Sequence, residues 1–207
     1  MAEPPHPPRE LALVSVLSLG LASAVIFLPD GQDGTLIGTL KPTLGVLALI
    51  GPPWLALERR RRDPLLELGL STRPRAPWTW LVALATLPLY VLGFALWRKT
   101  FHAAPLSAWF CLSQLVFVAL PEETFFRGSL QPSLLPERPY ASIIITSVVF
   151  ALAHLVSERN PLRLLVFFPS LVFGWLRLRS GSVVPGIVFH ALCNIVEDFA
   201  RNATNPG

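Results

Sequence analysis

The sequence predicts an all-α protein, a polytopic bundle of about seven transmembrane helices, with six and eight as the bounds. Three observations carry this. Of 207 residues, 52% are hydrophobic and only 14% charged, and mean hydropathy is +0.54, whereas soluble domains are about one-quarter charged. Apolar runs recur at close to the length that crosses a ~30 Å hydrocarbon core. Six polar residues, Glu122, Glu123, Arg127, His154, His190 and Asn194, interrupt three of those runs. Ionisable groups inside a membrane are expensive, and they are usually paired, turned inward and functional.

The first eight residues are proline-rich, and residues 1–10 read as a disordered tail. The first span covers about 11–28. Arg9 before it and the Ala22-Ser23-Ala24 triplet resemble a signal peptide. The apolar run continues through Leu28, however, and Glu3 and Glu10 cancel the positive start, so a retained span is preferred. Further spans follow at 36–57, 79–97, 106–127, 140–156, 162–178 and 183–199. Pro52-Pro53 is expected to end the second, while Pro88, Pro121 and Pro169 interrupt the third, fourth and sixth. Proline costs about 3 kcal/mol inside a soluble helix, but a bundle re-satisfies the freed carbonyls. Pro121 matters most, because it frees a carbonyl one turn before Glu122.

Residues 11–105 thus form an N-terminal group of spans containing a basic loop at 58–77, and 106–200 form the core that carries the polar residues. A tail follows at 201–207. The basic loop is expected to hold a short interfacial helix near Leu65–Leu70. Trp54, Trp78, Trp80, Trp97 and Trp109 lie near span ends, as in an aromatic belt.

Topology follows from lysine and arginine in the loops. An interior N-terminus puts Arg9, the six arginines at 59–62, 73 and 75, Arg127, Arg138, Arg177 and Arg179 inside. Arg98, Lys99, Arg159, Arg163 and Arg201 fall outside, and the first hairpin loop carries only Asp30 and Asp33. The net charge of +4 and pI near 9.7 therefore reflect topology and anionic headgroups. Nucleic acid is set aside. Cys111 and Cys193 lie in apolar runs without CxxC spacing and read as packing residues.

Glu123 and Arg127 are four apart and share a helix face, so they can pair. Glu122 points about 100° away and stays free for another task. Phe150 shares the face of His154, and Asn194 that of His190. Glu122 and His154 together could hold a water, with His190 and Asn194 donating to a developing oxyanion. Glu158 and Asp198, at span ends, read as solvated.

EExxxR, FxxxH and HxxxN, in that order on successive hydrophobic runs, resemble the signature of the CPBP (Abi) family of CAAX-type and bacteriocin-processing intramembrane proteases. Each motif alone is weak, whereas the ordered set is specific. The resemblance covers residues 106–199 and implies a CAAX-protease-like fold and a glutamate-dependent endopeptidase. It assigns Glu122 as water-activating base, His154 as its partner, His190 and Asn194 to the oxyanion, and Glu123 and Arg127 to organising the site. The implied substrate is a membrane-embedded or lipidated protein cut near its C-terminus, by CAAX processing or by the sorting-signal processing of the myxosortase branch. The implied location is a bacterial inner membrane.

No cofactor is expected. HExxH is absent, so zinc at Glu122, His154 and His190 is the less favoured alternative. Two other functions compete: a non-catalytic immunity or scaffold protein of the same fold, and a small proton-coupled transporter. The transporter should show interrupted helices in two related halves, which the sequence lacks. One conflict remains over depth. Glu122 lies ~24 Å along a span starting at Leu106, and His154 lies about as far along the next, antiparallel span. They can meet only if the fourth span runs past Gly128, the fifth starts later, or the helices tilt strongly.

Overall fold

The computed structural model describes residues 9–28, 36–70, 75–98 and 107–202. The proline-rich residues 1–8, Asp30, Asp33, Arg73, Lys99 and the tail at 203–207 lie outside the described residues. All regular structure among the described residues is helical. The helices are α1 (Arg9–Ile26), α2 (Leu36–Arg59), α3 (Pro64–Glu67), α4 (Thr79–Arg98), α5 (108–134), α6 (Pro139–Glu158), α7 (Phe167–Ser180, entered through a 3-10 turn at Pro161–Val166) and α8 (Val184–Asn202). Each expected span is thus a helix. Leu40–Arg59, Pro139–Glu158 and Pro161–Ser180 are long and apolar enough to cross a membrane by length and composition.

The surface is inverted relative to a soluble protein. Leu13, Leu47, Leu81 and Phe168 point outward and are more than half exposed, while Ser15, Ser18, Thr124, Ser147, Glu123 and Arg127 are buried. Apolar side chains facing out and hydrogen-bonding groups facing in are what a lipid solvent demands. The chain is a membrane protein.

The prolines act less harshly than expected. Pro42, Pro52 and Pro53 all lie inside α2, which continues unbroken to Arg59. The expected interfacial helix in the basic loop is a single turn, Pro64–Glu67, capped by Asp63, whose carboxylate accepts from the Leu65 N–H at 2.9 Å.

Helix α5 resolves the depth conflict. It does not stop at Arg127 but runs on to Leu134, through two π-helical stretches, Gln114–Ala119 and Thr124–Leu130. Glu122 therefore sits near its middle. Proline shapes the second stretch. Gln131 sends its N–H back five residues to the Phe126 carbonyl, and Pro132 has no N–H to offer the Arg127 carbonyl. That orphaned oxygen accepts instead from Arg177 Nε on α7, at 3.2 Å.

The bundle packs α1 against α2 and both against α5. Helix α6 packs against α7, and α8 packs against α4, α7 and the first half of α5. Residues 64–70 tuck into one end of this bundle. Leu68 is fully buried beside Leu11 and Leu57. Its carbonyl oxygen lies where a Cβ on Gly128 would stand, 2.5 Å from it, so only glycine lets loop and helix meet there. Val183 N and Ser182 Oγ both donate to the Gly69 carbonyl, at 2.8 and 3.1 Å.

Candidate active site

Arg127 and Glu123 lie one turn apart on α5, and both side chains are about 1% exposed. Arg127 NH1 donates to Glu123 Oε1 at 2.9 Å, and NH2 donates to Ser170 Oγ on α7 at 2.6 Å. The guanidinium also faces the Phe150 and Phe173 rings, at 4.4 and 5.0 Å from their centroids. A buried charge needs such partners, because the desolvation penalty exceeds what one weak contact returns. Glu123 Oε1 accepts a second bond, from His190 Nδ1 at 3.0 Å. Gly186, one turn before His190, permits this closeness, since a Cβ there would lie 3.2 Å from Glu123 Oε2.

Both histidines are oriented by their Nδ1 atoms. His154 Nδ1 lies 3.0 Å from the Phe150 carbonyl oxygen, which only accepts, so Nδ1 carries the hydrogen. His190 Nδ1 is fixed likewise by the Glu123 carboxylate. In both rings Nε2 is turned toward Glu122. His154 Nε2 is 3.9 Å from Glu122 Oε2, and His190 Nε2 is 3.8 Å from it. These gaps are too long for direct hydrogen bonds, and among the described residues Glu122 Oε2 has no hydrogen-bond partner. Phe150 packs beneath the group, 4.3 Å from the His154 ring and 5.8 Å from that of His190. Phe173 stacks nearly parallel on His190 at 5.0 Å.

Asn194 lies on the same cavity wall, and its Nδ2 donates to Gln114 Oε1 at 3.1 Å. The cavity holds about 950 Å³. One wall carries Glu122, His154, His190, Asn194 and Gln114, and the facing wall is built from apolar α1 and α2 residues such as Leu19, Val46 and Leu49.

The structure thus brings together all seven residues singled out from sequence. It also bears on three further expectations. Arg127 is no loop charge; it is buried in mid-helix, because α5 continues past it. Glu158 is not simply solvated, since Arg163 Nε pairs with it at 2.6 Å while NH1 reaches Glu197 at 2.5 Å. Asp198 lines the cavity. Sequence reasoning missed Gln114, Ser170, Phe173 and Gly186. Gln114 was detectable, as a lone amide in an apolar run. The others are a serine, a phenylalanine and a glycine, unremarkable in a membrane helix, and only their contacts mark them.

Residues 104–196 match the model of the Type II CAAX prenyl endopeptidase Rce1-like family. This stretch contains every residue of the polar group, and the match supports membership of the CPBP family and CAAX-type intramembrane protease activity in general. No curated protein and no solved structure matches the chain.

Proposed function

We propose that the protein is a glutamate-dependent intramembrane endopeptidase in which Glu122 activates water against a peptide carbonyl. The observation that carries this reading is the convergence of Glu122 Oε2 with two Nε2 atoms at 3.8 and 3.9 Å. One water placed between Glu122 Oε2 and either Nε2 atom is within hydrogen-bonding range, about 2.8 Å, of both.

The fixed rings divide the labour. His154, with its hydrogen on Nδ1, offers the Nε2 lone pair to the water, and Glu122 takes the water's proton as the oxygen attacks the carbonyl carbon. His190, protonated and held by Glu123, donates Nε2–H to the oxyanion. Before attack Arg127, His190, Glu122 and Glu123 sum to zero charge, and once Glu122 has taken the proton the oxyanion replaces its charge, so the group stays neutral in a low-dielectric core. Asn194 keeps one amide hydrogen for the oxyanion while the other serves Gln114. On collapse, Glu122 returns the proton to the departing amide nitrogen. The C–N bond breaks, leaving a carboxylic acid and an amine.

Zinc fits less well than water. Tetrahedral zinc with bonds of about 2.0–2.1 Å holds its ligand atoms about 3.3 Å apart, closer than the separations here. We assign no cofactor. The half-apolar cavity suits a membrane-embedded or lipidated polypeptide, cut near its C-terminus in CAAX-type or sorting-signal processing, and a bacterial inner membrane is the assigned location. Partners beyond that substrate and the surrounding lipid are not invoked, and no nucleic acid is.

C-terminal proteomics of cells carrying Glu122→Gln tests the proposal. Membrane proteins that keep a C-terminal segment removed in wild type are the expected result. An unchanged profile, with the variant at normal abundance, rejects proteolysis in favour of a binding or scaffold role.

A further inference from the structure

We infer that the site opens at the end of the bundle opposite its arginine-rich end, and so faces the non-cytoplasmic side of the membrane. This deepens the protease reading and rests on it for the substrate: a membrane-anchored segment presented from outside the cytoplasm.

The arginine-rich end is defined by contacts between distant segments. Arg60 pairs with Glu10, the Arg75 N–H donates to the Ser180 carbonyl at 2.7 Å, and Trp78 meets Trp175 edge-on at 5.7 Å. These contacts gather the 59–62 run, Arg75, Arg177 and Arg179 at one end, and Arg138 joins them because α6 runs antiparallel to α7. The opposite end shows Lys41, Arg159 and Arg163 together with Arg98 and Arg201 in the last turns of α4 and α8, fewer than gather at the first end, and Arg163 is already engaged by two carboxylates. Lysine and arginine asymmetry orients spans with the richer side in the cytoplasm. Moving Arg127 out of the loop tally does not alter that bias.

The arginine-rich end is also plugged. Residues 64–70 fill it, with Leu68 buried and Gly69 at φ +73° lying against the Arg177 guanidinium. Arg177, anchored on the Gly181 and Arg127 carbonyls, reaches this segment by donating from NH2 to the Glu67 carbonyl at 3.5 Å. No residue of 57–70 or 177–184 lines the cavity. Among the described residues, its charged rim belongs to the other end: Lys41, Glu158, Arg163, Glu197 and Asp198. The Glu158–Arg163–Glu197 bridge ties the two histidine-bearing helices. It lies roughly 6 Å beyond His154 and roughly 10 Å beyond His190 along their axes. The site therefore sits one to two turns beneath a polar rim on the arginine-poor side, with a packed plug on the other.

Cysteine labelling tests both parts without requiring catalysis, so it can fail while the protease reading stands, and the reverse. In full-length protein carrying Cys111→Ser and Cys193→Ser, single cysteines replace Leu66, Leu162 or Gln114. Spheroplasts are treated with a membrane-impermeant maleimide, with denatured protein as the labelling control. The expected result is that Leu162→Cys and Gln114→Cys react on intact spheroplasts and that Leu66→Cys reacts only after lysis. Reaction of Leu66→Cys on intact spheroplasts overturns the orientation. Reaction of Gln114→Cys only after lysis, or never in native protein, overturns the access route.

Discussion

The carboxylate of Glu123 accepts from His190 Nδ1 at 3.0 Å, across 67 residues of sequence. That bond makes a helix-bound glutamate the orienting group for an imidazole on another helix. It leaves His190 Nε2 facing Glu122, 3.8 Å away. Two adjacent glutamates are thereby held differently: Glu123 is tied to Arg127 and His190, and Glu122 Oε2 has no hydrogen-bond partner among the described residues.

This division predicts opposite signatures for the two isosteric variants. Glu122→Gln should lower turnover by about 10²–10⁴-fold, the usual contribution of a positioned base, with little change in thermal stability. Glu123→Gln should lower stability as well as turnover, because Arg127 loses its carboxylate. Melting in detergent alongside single-turnover cleavage separates the two. Equal stability losses would sink the division.

Breaking the buried pair from the other side should be costly. Arg127→Leu strips Glu123 of its guanidinium and leaves the His190 ring as its remaining partner, a loss of up to about 3–5 kcal/mol. Adding Glu123→Leu should recover part of it, since an apolar pair of similar bulk is often tolerated. A double-mutant cycle on unfolding midpoints measures the coupling; strict additivity would show that the pair is not coupled.

The Asn194 side chain donates to Gln114, and its proposed role is at the oxyanion, so its effect should be kinetic. Asn194→Ala is expected to cost about 10²–10³-fold in kcat, as for loss of one oxyanion donor, with KM nearly unchanged. Gln114→Ala should give a smaller loss of the same kind, because it only orients that amide. If KM rather than kcat moves, the asparagine binds substrate instead.

Gly128→Ala should dislodge the plug. Its new methyl carbon would stand 2.5 Å from the Leu68 carbonyl oxygen, so the backbone must shift, a strain of about 1–3 kcal/mol. Limited proteolysis should then cut faster within residues 60–70. Unchanged proteolysis would mean that the loop does not dock on α5.

Chelators provide the test of cofactor chemistry. Cleavage by purified protein should be unaffected by prolonged treatment with a strong zinc chelator. Loss of activity that zinc restores would transfer the role of Glu122 and the histidines to metal ligation.

The helices were legible because each rests on local physics. Apolar runs of membrane-crossing length become helices in lipid, and lone charges within them mark inward faces, so Glu122, His154 and His190 stood out from composition alone. The i,i+4 spacing likewise forecast the Glu123–Arg127 pair. What the chain could not declare locally was where α5 ends. Its continuation past Arg127 depends on π-helical winding and on Arg177, fifty residues away, accepting the burden of a carbonyl that Pro132 leaves unbonded. Proline statistics predict breaks, yet α2 runs on past Pro42, Pro52 and Pro53. Nor could the chain declare Ser170, Phe173 and Gly186, whose chemistry is ordinary and whose meaning is their position. Sequence determined which runs enter the membrane and which polar groups interrupt them, because both are read from local composition, although the burial of Arg127 had to wait for the end of α5. The tertiary structure decided which atoms face one another and which end is sealed, because those depend on contacts between segments that the sequence holds far apart.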